Sequence, residues 1–172
     1  MHYEPNARVV ALNGAIYIVD ASEMFTAEYQ LADKFRGLAG PDVKIHSRMP
    51  GKYSLRTKGG PDDFPEIDDW HETPPTRGGT ASAAAMWLLG EGHKKVILAG
   101  CPFDWEAGYA DGGRITKTQP WRDKALTKMH RAGMLEDFKK GLLRGVYSMS
   151  GWTKTLLGAP EWLQTSTFVR EH

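Results

Sequence analysis

Residues able to do chemistry gather in three stretches of this chain. The first is Gly78-Gly79-Thr80-Ala81-Ser82, where an alanine-rich run begins. Glycines let a ligand approach the backbone, and the Thr80 and Ser82 hydroxyls add hydrogen-bond donors. A helix starting there would turn unpaired N–H groups and the positive end of its dipole toward a phosphate or carboxylate. The same residues also make an ordinary helix cap, and they match neither a Walker A loop nor a Gly-x-Gly-x-x-Gly turn. The second stretch is Gly100-Cys101-Pro102-Phe103-Asp104. An acid just past a strand end, here Asp104, binds a ribose hydroxyl, holds a metal or takes a proton. The third runs from Asp62 to Glu72 and includes Asp63, Glu66, Asp68 and Asp69. Clustered carboxylates suit a divalent cation, but calcium-loop spacing is missing and a solvated acidic loop is the commoner meaning, so no metal ligand is assigned. His71, flanked by carboxylates that would raise its pKa, is the candidate general acid or base, with His46 behind it. The catalytic candidates are therefore Asp104 and His71. Cys101 has no neighbouring base and reads as a small packed residue.

These groups need elements to hold them. Gly78 to Gly90 predicts a helix of high propensity, and Val96-Ile97-Leu98 a buried strand ending at Gly100. That loop–helix–strand unit belongs to parallel α/β sheets, where helix starts and strand ends face one ligand crevice. Upstream, Val9–Leu12 and Ala15–Val19 are apolar runs around Asn13-Gly14. They predict either a tight hairpin or a strand, a turn and a second buried segment. Asp20–Glu23 offers caps for a helix carrying Phe25, Tyr29, Leu31, Ala32 and Phe35, ended by Gly37 or Gly40. Val43–His46 is a brief strand. Residues 48–77 form an irregular excursion or lid. Downstream, a helix opens at Trp121-Arg122-Asp123 and Gly133 bends or splits it. Arg144–Met149 is the last strand, and a helical tail occupies about residues 150–172. The expected fold is a single α/β, Rossmann-like, three-layer domain with a mostly parallel sheet.

Composition narrows the partners. The chain has 172 residues, 41% of them hydrophobic and 25% charged, which suffices for a proper core. A net charge of +1 argues against a general nucleic-acid binder. One cysteine excludes an intrachain disulfide and suits a reducing cytoplasm. No apolar run reaches the ~18 residues of a membrane span, and no signal peptide is visible. Lys117, Trp121, Arg122, Lys124 and Lys128 interleave charge with an aromatic ring, more often a helix start than a base-stacking surface. Trp105, Tyr109 and Arg114 are better placed to cover a ligand.

Gly79-Thr80-x-Ser82 leading to Leu89-Gly90, then Gly92-x-x-Lys95-Val96-x-Leu98-x-Gly100 and Asp104, resembles the nucleotide-binding core of a Rossmann-like group. That group includes bacterial CMP-sialic acid sialyltransferases and hydroxymethylpterin diphosphokinase-like proteins. Small bacteriophage proteins of unknown function share the core, and their ending is similar to Tyr147–Gly158. The resemblance implies a nucleotide or nucleotide-sugar ligand contacted by Asn13, Gly79, Thr80 and Ser82, with Gly78 and Gly100 lining the same crevice. It implies a glycosyltransferase-like enzyme, with a divalent metal as an optional companion. The alternatives are a non-catalytic phage accessory protein that binds a nucleotide or a host partner in the host cytoplasm, and a structural or assembly protein. The group's opening βα unit has no counterpart before Arg8, so an exposed sheet edge and a homo-oligomer are expected.

Overall fold

The computed structural model describes residues 7–17, 19–50, 61–101, 103–104 and 120–162. The chain is mixed α/β, and it divides into two compact units, residues 1–75 and 76–172. Every strand pairing among the described residues is parallel, as expected of the α/β class.

The first unit holds four strands: β1 (Val10–Leu12), β2 (Glu23–Thr26), β3 (Lys44–Arg48) and β4 (Asp69–His71). Their order across the sheet is their order in the chain. Parallel neighbours need crossovers rather than hairpins. Between β1 and β2 the crossover includes a short 3-10 helix, Asn13–Tyr17, entered through Asn13 at φ 50°. The hairpin alternative is therefore wrong, and Asn13-Gly14 turns the chain into a second buried segment instead. A further 3-10 turn, Tyr29–Leu31, runs into helix α1 (Ala32–Ala39), which ends at Gly40 with φ 84°. The helix predicted from Phe25 onward thus begins later. Glu23–Thr26 is a strand with three of its four residues buried, so alternation is hidden and only the helix-like spacing shows. The predicted excursion over 48–77 contains β4, which pairs with β3.

Register divides this sheet into two faces. Ala11, Met24 and Ile45 are aligned neighbours on one face, as are Thr26, Ser47 and Trp70. That face meets Tyr29, Ala32, Phe35 and Ile67 in the core. Tyr29 sets its ring edge-on to Phe64 and to Trp70, with centroids 5.0 and 5.6 Å away. The opposite face carries Glu23, Phe25, Lys44, His46, Arg48, Asp69 and His71.

The second unit contains helix α2 (Gly79–Gly90), strand β5 (Val96–Leu98), helix α3 (Pro120–Lys139), strand β6 (Val146–Ser148) and helix α4 (Gly151–Leu157). Helix α2 is buried on every side from Ala81 to Trp87, so its alanines give no amphipathic stripe. Helix α3 runs through Gly133 without a break. This glycine serves close approach, since a Cβ there would lie 2.3 Å from the Arg77 carbonyl carbon and 2.6 Å from the Gly78 nitrogen. Thr76 ties the same junction: its hydroxyl donates to the buried Asp137 carboxylate and accepts from Gly78 N–H at 2.8 Å.

Gly133→Ala should therefore destabilise the chain by about 2 kcal/mol in urea titration, overpacking outweighing the helix-propensity gain. Gly37→Ala, in open space on α1, should add about 0.5 kcal/mol.

Candidate metal centre

Three neighbouring parallel strands bring four polar side chains together on one face of the first unit. β3 supplies His46, β4 supplies Asp69 and His71 two residues apart, and β2 supplies Glu23. His46 is directly opposite Asp69, and Arg48 opposite His71. His46 Nδ1 lies 2.9 Å from His71 Nε2 and 3.5 Å from Asp69 Oδ2. One donor atom from each of His46, Asp69 and His71 falls within 4.8 Å of the others. Two donors bound to one transition-metal ion at about 2.1 Å stand roughly 3.0–3.4 Å apart, so the 2.9 and 3.5 Å separations are close to the edges of a coordination polyhedron.

The surroundings prepare the donors. His46 Nε2 is 2.9 Å from Glu23 Oε2, which makes this nitrogen the N–H donor and leaves Nδ1 to accept from His71 Nε2–H, a proton that a bound metal would replace. A carboxylate behind a histidine in this way orients the ring and raises its basicity toward a metal. Arg8 grips Glu23 with two nitrogens, at 2.9 and 2.6 Å. Burial pushes the His46 pKa below its usual value against the opposing pull of Glu23, so the ring is neutral at pH 7. The hydrogen bond from Arg8 holds Glu23 below the usual carboxylate range. Lys44, 2.6 Å from Asp69, lowers that acid too. Neutral imidazole and ionised carboxylate are the forms that bind metal. His46 is only 2% exposed, whereas Asp69 and His71 are half-buried, so the cluster has a closed base and an accessible side.

Comparison with protein-family models, characterised proteins and solved structures finds no match to this chain.

Of the residues singled out from sequence, His71 and His46 meet here, and Asp69 joins them from the acidic stretch. The rest of that stretch scatters. Asp62 and Asp63 are exposed in a 3-10 turn, Glu72 is exposed, and Asp68 binds Arg36 at 2.5 Å. Asn13 lies at the end of β1. The remaining candidates belong to the second unit. Gly78, Gly79, Thr80 and Ser82 open α2, with Gly79 at φ 75°. Around them α3 is close, since a Cβ on Gly79 would lie 2.9 Å from His130 Nδ1. Gly100, exposed with φ 69°, leads toward Asp104. Asp104 is engaged on both oxygens, by the Arg131 guanidinium and by Trp152 N–H at 3.3 Å. Arg131 in turn covers the Trp152 ring at 5.4 Å. Such a carboxylate fastens the loop after β5 to α3 and α4. Burial pushes the Cys101 thiol up to about 11, which leaves it inert at neutral pH. Trp105, Tyr109, Arg114 and Lys117, and the side chains of Trp121 and Arg122, lie outside the described residues.

Glu23 was missed as a partner of this cluster because it reads as a helix cap next to Ser22. The available signal was Asp69-x-His71, two donors spaced for one face of a strand. Replacing Glu23 by Gln should leave the fold in place yet weaken metal binding about tenfold, measured by competition with a chromophoric chelator.

Proposed function

We propose that the first unit is a metal-dependent catalytic module, binding one divalent transition ion through His46, Asp69 and His71. The observation that carries this reading is the convergence of two imidazoles and a carboxylate with Glu23 behind His46. Nitrogen and oxygen donors in this ratio suit zinc or ferrous iron better than calcium or magnesium. Three protein ligands leave positions for water and substrate, the pattern of catalytic rather than structural sites. An ion there would polarise a substrate oxygen or lower the pKa of its bound water toward 7, supplying a hydroxide nucleophile. Metal-assisted hydrolysis is the reaction class this favours.

Cobalt(II) is the direct probe. The full chain should take up one equivalent with visible d–d absorption, and His71→Ala should weaken uptake by more than about 100-fold, beyond the loss typical of an outer partner. No uptake at ~100 μM cobalt or zinc, or equal uptake by the variant, overturns the reading.

A second reading keeps the nucleotide or nucleotide-sugar ligand implied by the resemblance, with transfer or simple capture as its outcome. Its support is Ser82 in the first turn of α2, a buried hydroxyl with no hydrogen-bond partner among the described residues. A panel of nucleotides and nucleotide-sugars at millimolar concentration should then raise the melting temperature by more than about 3 °C. A flat panel removes this reading without touching the first.

A further inference from the structure

The cluster has a cationic neighbour that its hydrogen bonding does not use. Arg48 ends β3, two residues beyond His46, and is the register partner of His71. Residues two apart on a strand, and register partners on parallel strands, leave the sheet on one face. Arg48 therefore rises beside His71 on the metal-binding face, one pleat nearer the carboxyl ends of β3 and β4. Ligands of parallel sheets collect at those ends. The neighbouring cations are already committed: Arg8 to Glu23, Lys44 to Asp69, and Arg36 to Asp68. Arg48 is half-buried, and its side chain forms no ion pair or hydrogen bond among the described residues. The two acids on its own face, Glu23 and Asp69, are occupied by those other cations.

We infer that Arg48 is the substrate-anchoring cation of this centre, so that the substrate carries an anionic group, phosphate or carboxylate, next to the bond presented to the metal. The inference rests on the metal-binding reading of the same site. A planar guanidinium holds two oxygens of such a group at once, and this fixes the direction from which the rest of the substrate meets the ion. His71 would then separate anchor from metal by one side chain, a spacing suited to a small anionic molecule. Arg48 has no part in holding the ion.

The test uses the full chain loaded with cobalt(II), titrated with inorganic phosphate and separately with acetate while the visible spectrum is followed. The wild type should show a saturable spectral change with one or both anions, and the arm that saturates at lower concentration names the anionic group. Arg48→Gln should weaken that response about tenfold or more while cobalt affinity changes less than about twofold. Arg48→Lys, which keeps the charge and loses the fork, should fall in between. A spectrum indifferent to both anions, or an unchanged anion affinity in Arg48→Gln, overturns the inference and leaves metal binding standing. Failure of the wild type to bind cobalt overturns both.

Discussion

The registration of β4 against β3 is the constraint on which the chemistry proposed for the first unit depends. Side chains alternate across a strand, so a slip of one residue would carry Asp69 and His71 to the core face and expose Trp70. Several bonds oppose that slip. Asp68 N–H donates to Ile45 O at 2.9 Å, and the Asp68 carboxylate accepts Ile45 N–H at 2.6 Å. From α1, Arg36 reaches the same carboxylate as well as Glu66 O and Val43 O. On the core face, Trp70 is wedged against Tyr29. Hydrophobic packing and donor placement are thus one event: seating Trp70 below the sheet sets Asp69 and His71 above it.

Above the sheet, a chain of polar contacts runs from Arg8 through Glu23, the neutral His46 and Asp69 to Lys44. As a device for stability this chain is a poor investment, because desolvating charged groups consumes most of what their pairing returns. Its organisation is better understood as preparation. In the proposed centre Arg8 and Lys44 keep Glu23 and Asp69 ionised, and the most deeply buried member, His46, has a carboxylate at its far nitrogen. An imidazole buried without such partners would cost about 1–3 kcal/mol. The hydrogen bonds that make burial of His46 tolerable also aim its lone pair.

Much of the second unit was legible in the sequence: the alanine-rich helix, the strand after it, the final strand and the short helix beyond all carry terminating glycines or strong propensity. The α/β class followed from their alternation. The first unit was harder. Its strands are three to five residues long, and β2 is buried almost throughout, which removes the period that distinguishes strand from helix. The proposed metal centre was hardest to read, since its ligands come from two strands and their carboxylate partner from a third, and all meet only through parallel register. His46 and His71 were legible as chemically interesting residues; their proximity was not, because it depends on pairing across 25 positions of chain.

Glycine carries more than one meaning in this chain. A glycine pair before a helix signals that something approaches the backbone closely, and a phosphate is one such visitor. In this chain Gly133 admits the backbone at Arg77 and Gly78, while Gly79 lies under the His130 ring. The missing side chains let α2 and α3 come together, and Thr76 and Asp137 then satisfy the polar groups this crowding would strand. Sequence reports the close contact but not the identity of the neighbour. A strand-borne Asp-x-His carries the complementary information: its spacing says little about packing, yet it commits two donors to one face and so asks what the adjacent strand places beside them. Here the adjacent strand answers with His46, and the strand beyond it with Glu23.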